Sequence, residues 1–229
     1  MFKHELIEAL DIHAVEIDGK RFYINESGDR FPSVTTFLSA SLDKSGLDEW
    51  RERVGEKEAN RATNRGARRG EALHLVCEKY VLNEPLPAMM PSIQMLFSQV
   101  KPVLDARLEC VIGVELPLMS NYLRLGGRCD LIGVFDGKRS IIDFKSTNWA
   151  KDRDMLEGYF IQETAYSIMF EECYNIPITQ LVTISAGDSE HQAQVVVEKR
   201  DTWAPRLVSL VNKYHKERES RYAELQEVS

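Results

Sequence analysis

A chain of 229 residues, 43% hydrophobic and 28% charged, has the apolar material for one good core and need not divide into two domains. Its net charge of −7 excludes a protein that coats nucleic acid by bulk attraction, while leaving room for a local basic track beside acids that bind a metal. No apolar run approaches the ~20 residues that span a bilayer, so no membrane partner is expected.

The first residues, Met1-Phe-Lys-His-Glu-Leu-Ile-Glu8, carry acids and lack both an Arg-rich presequence and a secretory apolar block. They predict a cytoplasmic location, in a bacterial or phage-infected cell. Residues 12–17 and 21–24 are β-rich and flank Asp18-Gly19, which predicts an accessory hairpin within residues 1–30. Residues 33–83 are mainly helical in pattern, and Pro85, Pro87 and Pro91 mark the loop that follows.

Within that region Arg61, Arg65, Arg68 and Arg69 fall at i, i+4, i+7 and i+8, with no acid from residue 59 to 70. They form a stripe on one helix face, read either as a phosphate track or as a solvated surface. Next to it Gly66, Gly70, His74 and Glu78 recur at intervals of four. Glycine costs about 1 kcal/mol in a helix relative to alanine, so two in register predict a close approach to the face that carries His74.

A helix over about 92–107 leads into strands over 109–119, 128–135 and 139–146. Glu115 is a lone acid in the first of these. The second and third are joined through Asp136-Gly137, a strong hairpin signal, so Asp130 is expected to begin one strand where Asp143 ends its neighbour. Side chains alternate along a strand, which points Asp143 and Lys145 one way and Phe144 to the buried side. Two carboxylates so placed repel unless a cation lies between them, and hard oxygen donors suit Mg²⁺ or Mn²⁺ better than zinc.

Trp149, just past Lys145-Ser-Thr147, is a candidate to stack on bases or to anchor a loop. Residues 158–170 are helical in pattern and bring Gln162 and Tyr166 onto one face. Strands near 178–185 and 192–198 and a charged amphipathic helix over about 202–226 complete the chain. Cys77, Cys110, Cys129 and Cys173 are scattered singly, as expected of reduced, mostly buried thiols.

The ordered set His74, Glu115, Asp130, Asp143-Phe144-Lys145 and Gln162-x-x-x-Tyr166 resembles the PD-(D/E)XK nuclease superfamily. It is most similar to the RecB-like branch, and within it to the mitochondrial genome maintenance exonucleases and their phage relatives. The likeness covers roughly residues 30–185, and Phe31-Pro-Ser-Val-Thr-Thr-Phe-Leu38 resembles the entry segment of that branch. It implies metal binding by His74, Asp130, Asp143 and the Phe144 carbonyl. Lys145 would activate water or stabilise charge, and Gln162 and Tyr166 would brace the site and the DNA, with Tyr166 a second candidate for base stacking. Glu115 stands where the family often carries an acid. The one early and three clustered late cysteines that hold an iron–sulfur cluster in many relatives are absent from this sequence, so no cluster is expected.

The expectation is therefore an α/β fold with a restriction-endonuclease-like core: a mixed central sheet flanked by helices, plus an N-terminal hairpin and helical region. One nuclease domain over 1–229 would comprise an accessory hairpin (1–30), a helical DNA-guiding region (31–107), a catalytic core (108–200) and a C-terminal helix (201–229). The expected activity is a Mg²⁺- or Mn²⁺-dependent DNA exonuclease, working by metal-activated water on single strands or frayed and flapped ends, in replication, recombination or repair. DNA is the expected partner, bound through Arg61, Arg65, Arg68, Arg69, Tyr166 and Trp149. Alternatives are a duplex-end exonuclease, a structure-specific endonuclease, and a catalytically weak DNA-binding module.

Overall fold

The structure is a computed structural model that describes residues 1–43 and 45–227, with side chains as far as residue 220. The last two residues of the helix expected over 201–229 lie outside the described residues. β1 (Lys3–His4), β2 (Ile12–Ile17), β3 (Lys20–Asn25) and β4 (Arg30–Pro32) precede α1 (Val34–Ser41), α2 (Ser45–Val54), α3 (Glu56–Val81) and α4 (Pro91–Arg107). Then come β5 (Leu108–Ser120), β6 (Leu125–Phe135), β7 (Lys138–Thr147), a 3-10 turn (Arg153–Leu156), α5 (Glu157–Tyr174), β8 (Gln180–Gly187), β9 (Gln194–Lys199) and α6 (Arg200–Glu227).

Six strands form a mixed central sheet in the order β1-β5-β6-β7-β8-β9. β5, β6 and β7 are an antiparallel meander, and α5 is the crossover that lets β8 pair with β7 in parallel. Helices flank both faces. Leu73, Val76, Cys77 and Val81 of α3 join Leu96, Phe97, Val100 and Leu104 of α4 over Leu131, Ile142, Phe144 and Ile184. On the other face Phe37 of α1, Ile161, Met169 and Phe170 of α5 and Leu207 of α6 cover Leu118, Ile132 and Ile141. Buried on both faces, the inner strands read as near-continuous apolar runs.

Local chemistry sets the boundaries. Ser33 caps α1 by accepting the Thr36 N–H at 3.0 Å, and Pro91 occupies the first turn of α4, where its missing N–H costs nothing. The β6–β7 turn puts Asp136 at φ +50° and Gly137 at φ +74°, the left-handed pair that a two-residue hairpin needs.

Two expectations need correction. The N-terminal ribbon has a third strand, β4, and β1 leaves it to extend the central sheet beside β5; strands of two or three residues carry no readable periodicity. β6 begins at Leu125, so Asp130 lies inside a strand that pairs with β5 on either side of it, between Val114–Leu131 and Leu116–Cys129. Asp130 instead marks where the β6–β7 ladder stops, because its last pair is Leu131 with Ile142. Among the described residues no helix is long and apolar enough to cross a membrane.

Candidate active site

Beyond Leu131 and Ile142 the two strands part, and the freed backbone needs other partners. The Phe144 N–H donates to Asp130 Oδ2 at 3.1 Å, so a side chain takes over from the ladder. The Phe144 carbonyl accepts from His74 Nε2 at 2.7 Å, while His74 Nδ1 lies 3.3 Å from the same Asp130 oxygen. α3 thus reaches over the strand ends from one layer, with the Phe144 ring buried beneath it and edge-on to His74.

From the other layer α5 supplies Gln162. Its amide donates to Asp143 Oδ1 at 3.2 Å and accepts from Lys145 Nζ at 3.4 Å, which fixes which way the amide faces. Asp143 and Lys145, two apart on β7, form a buried ion pair. The Lys145 ammonium also lies 5.0 Å from the centre of the Tyr159 ring.

The group best disposed to hold a metal comprises His74, Glu115 and Asp130, whose ligand atoms lie within 4.8 Å of one another. Glu115 has φ +48°, unusual for a residue with a side chain, within β5 where that strand runs past Asp130. Its carboxylate is paired with Arg128 Nε at 2.7 Å. The structure therefore groups Glu115 with His74 and Asp130, while Asp143, one strand over, is held by Lys145 and Gln162.

Electrostatics reflect this crowding of acids. Burial alone would lower the His74 pKa, but the Asp130 hydrogen bond and the charges of Asp130 and Asp143 raise it to about 8. Burial, with Asp130 nearby, lifts Asp143 to about 6 despite Lys145. Burial likewise raises Glu115 against the pull of Arg128. Asp130 goes the other way: burial would raise it, but His74, Lys145 and the Phe144 N–H hold it below the usual carboxylate range. Lys145 remains an ammonium because Asp143 and Asp130 outweigh its burial.

Other expected residues fall into place unevenly. Tyr166 is 3% exposed, its ring lodged beneath Gly127 and its hydroxyl 3.4 Å from Gln162 Nε2, so it braces the site and does not present a face to a base. Arg61, Arg65 and Arg68 are exposed, with Arg61 paired to Glu58 at 2.6 Å. Arg69 turns inward: it pairs with Asp188 and donates to the Thr147 carbonyl at 2.8 Å, which makes it a latch between α3 and the ends of β7 and β8. Gly70 lies in ordinary contact with Ser146, whereas Gly66 faces open space, so the close approach expected at both glycines is not made at Gly66. Trp149 is exposed in the segment after β7. Three of the four free thiols are buried and Cys173 is half-buried.

Three residues join the site without having been singled out. Arg128 shares a strand face with Asp130, a period-two relation visible in Arg128-x-Asp130. Tyr159 also accepts a hydrogen bond from Lys151 Nζ at 2.6 Å. Glu163 is fully buried against Thr183 of β8, and burial, with Asp143 adding to it, drives its pKa well above the ordinary range. An acid among Phe160, Ile161, Thr164 and Ala165 was the available signal.

No protein-family model and no curated protein matches the chain. Among solved structures it is similar to a protein from Eubacterium rectale provisionally named an exonuclease, at 9% identity and a TM-score of 0.39, over 64% of this chain and 68% of that one.

Proposed function

We propose that this chain is a divalent-metal-dependent nuclease of the PD-(D/E)XK type, in its RecB-like branch. It hydrolyses phosphodiester bonds of DNA from an end, with single-stranded or frayed termini preferred. The observation that carries the reading is the convergence, where β6 and β7 part, of His74, Glu115 and Asp130 beside the buried Asp143–Lys145 pair.

The donor chemistry fits a Mg²⁺ or Mn²⁺ ion: two carboxylates and one imidazole, with the Phe144 carbonyl facing His74. The raised pKa of His74 agrees with this, since it comes from the carboxylates beside it, which hold a positive charge at that point. A bound cation would supply Lewis acidity toward a phosphoryl oxygen and toward water. Lys145, an ammonium with no lone pair to accept a proton, sets a fixed positive charge where negative charge grows on the phosphoryl group. Asp143 and Gln162 hold that ammonium, and Tyr166 holds Gln162. The exposed Arg65 and Arg68 provide charge for a phosphate backbone along α3, consistent with a DNA-guiding role for residues 31–107.

The test is digestion of matched linear single-stranded, linear duplex and circular single-stranded DNA, the linear substrates labelled at either end, with Mg²⁺, Mn²⁺ or EDTA. Loss of linear single strands with circles spared supports the reading and gives its polarity. Cutting of circles would replace it with an endonuclease.

A further inference from the structure

Lys151 carries a half-buried ammonium in the segment after β7, and among the described residues it forms no ion pair. Its neighbour Arg153 is paired with Glu198 at 2.6 Å, and Lys145 is paired with Asp143. The Lys151 ammonium instead donates to a neutral acceptor, the Tyr159 hydroxyl of α5, at 2.6 Å. A charge partly withdrawn from water without a counter-charge is costly.

Holding the segment in place does not require that charge, because the Lys151 main chain is fastened separately. Its N–H donates to Gln194 Oε1 at 3.0 Å and its carbonyl accepts from Gln194 Nε2 at 2.8 Å. The ammonium is thus held out on an anchored backbone, with a phenol as its rest.

The same clamp ties Lys151 to the candidate active site. Lys145 of β7, Ser185 of β8 and Gln194 of β9 are cross-strand neighbours in register, so their side chains lie in one row on the face of the sheet that α5 covers. Tyr159 closes the gap from above: Lys145 Nζ lies 5.0 Å and Lys151 Nζ 4.7 Å from the centre of its ring. The two ammoniums are therefore no farther apart than those two distances laid end to end, a span on the scale of the step between neighbouring phosphates of a single strand.

Two like charges beside one ring repel each other. Asp143 offsets the first, and a phosphate would offset the second. Lysine meets a phosphate as a compact point charge, and one whose backbone and head are already held gives up less side-chain freedom on binding.

We propose that Lys151, held by Tyr159, binds the phosphate next to the scissile one in the nucleic-acid substrate, a second phosphate position beside Lys145. The proposal rests on the nuclease reading for what is cut, but its binding test does not.

The experiment measures affinity of the full chain for a fluorescent oligothymidylate in EDTA, over a salt series. The unaltered protein is compared with Lys151→Met, Lys151→Arg and Lys138→Met, the last an equal loss of charge at the β6–β7 turn. Lys151→Met is expected to bind about tenfold more weakly, with the slope of log K against log salt reduced by about 0.7, the value for one phosphate contact on a single strand. Lys151→Arg should recover most of both, and Lys138→Met should match the unaltered protein. Unchanged affinity in Lys151→Met would overturn the proposal, as would equal weakening in Lys138→Met. A second arm locates the phosphate by digesting, with Mn²⁺, linear strands that carry one uncharged methylphosphonate linkage on either side of the linkage cut. On one side the unaltered protein should lose about tenfold in kcat/KM and Lys151→Met nothing further; equal losses in the two proteins on both sides would also overturn the proposal. Weakened binding by Lys151→Met without any cleavage by the unaltered protein would keep the phosphate contact and remove the nuclease reading, and cleavage with binding indifferent to Lys151 would do the reverse.

Discussion

Gly127 and Tyr166 occupy one space: a Cβ built at Gly127 would run into Cε1 of the Tyr166 ring. The missing side chain on β6 lets an aromatic ring from α5 slide under the strand and reach Gln162 with its hydroxyl. Gly127→Ala should therefore destabilise the protein by about 1–3 kcal/mol, the usual cost of overpacking a tight core. Activity should fall further, as Gln162 loses its brace. Because the clash is with one ring, Tyr166→Leu should relieve part of the damage, and a double-mutant cycle on thermal stability should show coupling. Strict additivity would mean that the two residues do not share the space.

Glu115 and Asp143 offer rival positions for the second carboxylate of a metal site, and the geometry favours Glu115. Glu115→Gln and Asp130→Asn should each weaken Mn²⁺ binding by tenfold or more, measured calorimetrically. Asp143→Asn should act chiefly by unseating Lys145. A Glu115→Gln variant with unaltered Mn²⁺ affinity would return that position to Asp143.

The pH dependence has a definite sign. The His74 pKa is raised from 6.5 to about 8, so in the metal-free protein its charge contributes stability that is complete below pH 6.5 and lost as the pH rises through 8. Asp143, raised from 3.8 to about 6, favours the folded state below 3.8 in its protonated form, and that contribution is gone above 6. A cation held through His74 competes with its proton. Mn²⁺ affinity should rise about tenfold per pH unit as the pH approaches 8, and level off above 8. Titrations from about pH 5 to 9 check this; an affinity flat across pH 6–8 would take His74 out of the coordination.

The arginines of α3 should separate into two kinds. Arg65→Ala and Arg68→Ala should each leave stability unchanged and reduce the salt dependence of single-strand binding by about 0.7 in slope. Arg69→Ala should cost about 1–3 kcal/mol of stability, because it strips charged hydrogen bonds from Thr147 and Asp188. Melting curves and binding isotherms on the same three variants decide the matter.

Much of this was legible from residue order alone. The meander, its Asp136-Gly137 turn and the alternation that buries Phe144 between Asp143 and Lys145 follow from period-two patterning and turn chemistry, which are local. What was not legible depends on partners distant in the chain. Arg69 reads as one of four equivalent arginines until the fold brings Asp188 to it. Tyr166 reads as an available ring until Gly127 is seen above it. Glu115 is intermediate: its lone charge in an apolar strand was visible, but the positive φ that places it beside Asp130 was not.

The proposed function turns on Lys145 acting within a metal-dependent phosphodiester-cleaving site. The most direct test is the rate of nucleotide release from uniformly labelled linear single-stranded DNA by the unaltered protein and by Lys145→Ala, each with Mn²⁺ or EDTA, alongside their affinities for the same strand. Release should require the metal and fall about a hundredfold or more in Lys145→Ala, a transition-state loss of about 3 kcal/mol, with affinity retained. Release that survives EDTA, or that proceeds unchanged in Lys145→Ala, would contradict it.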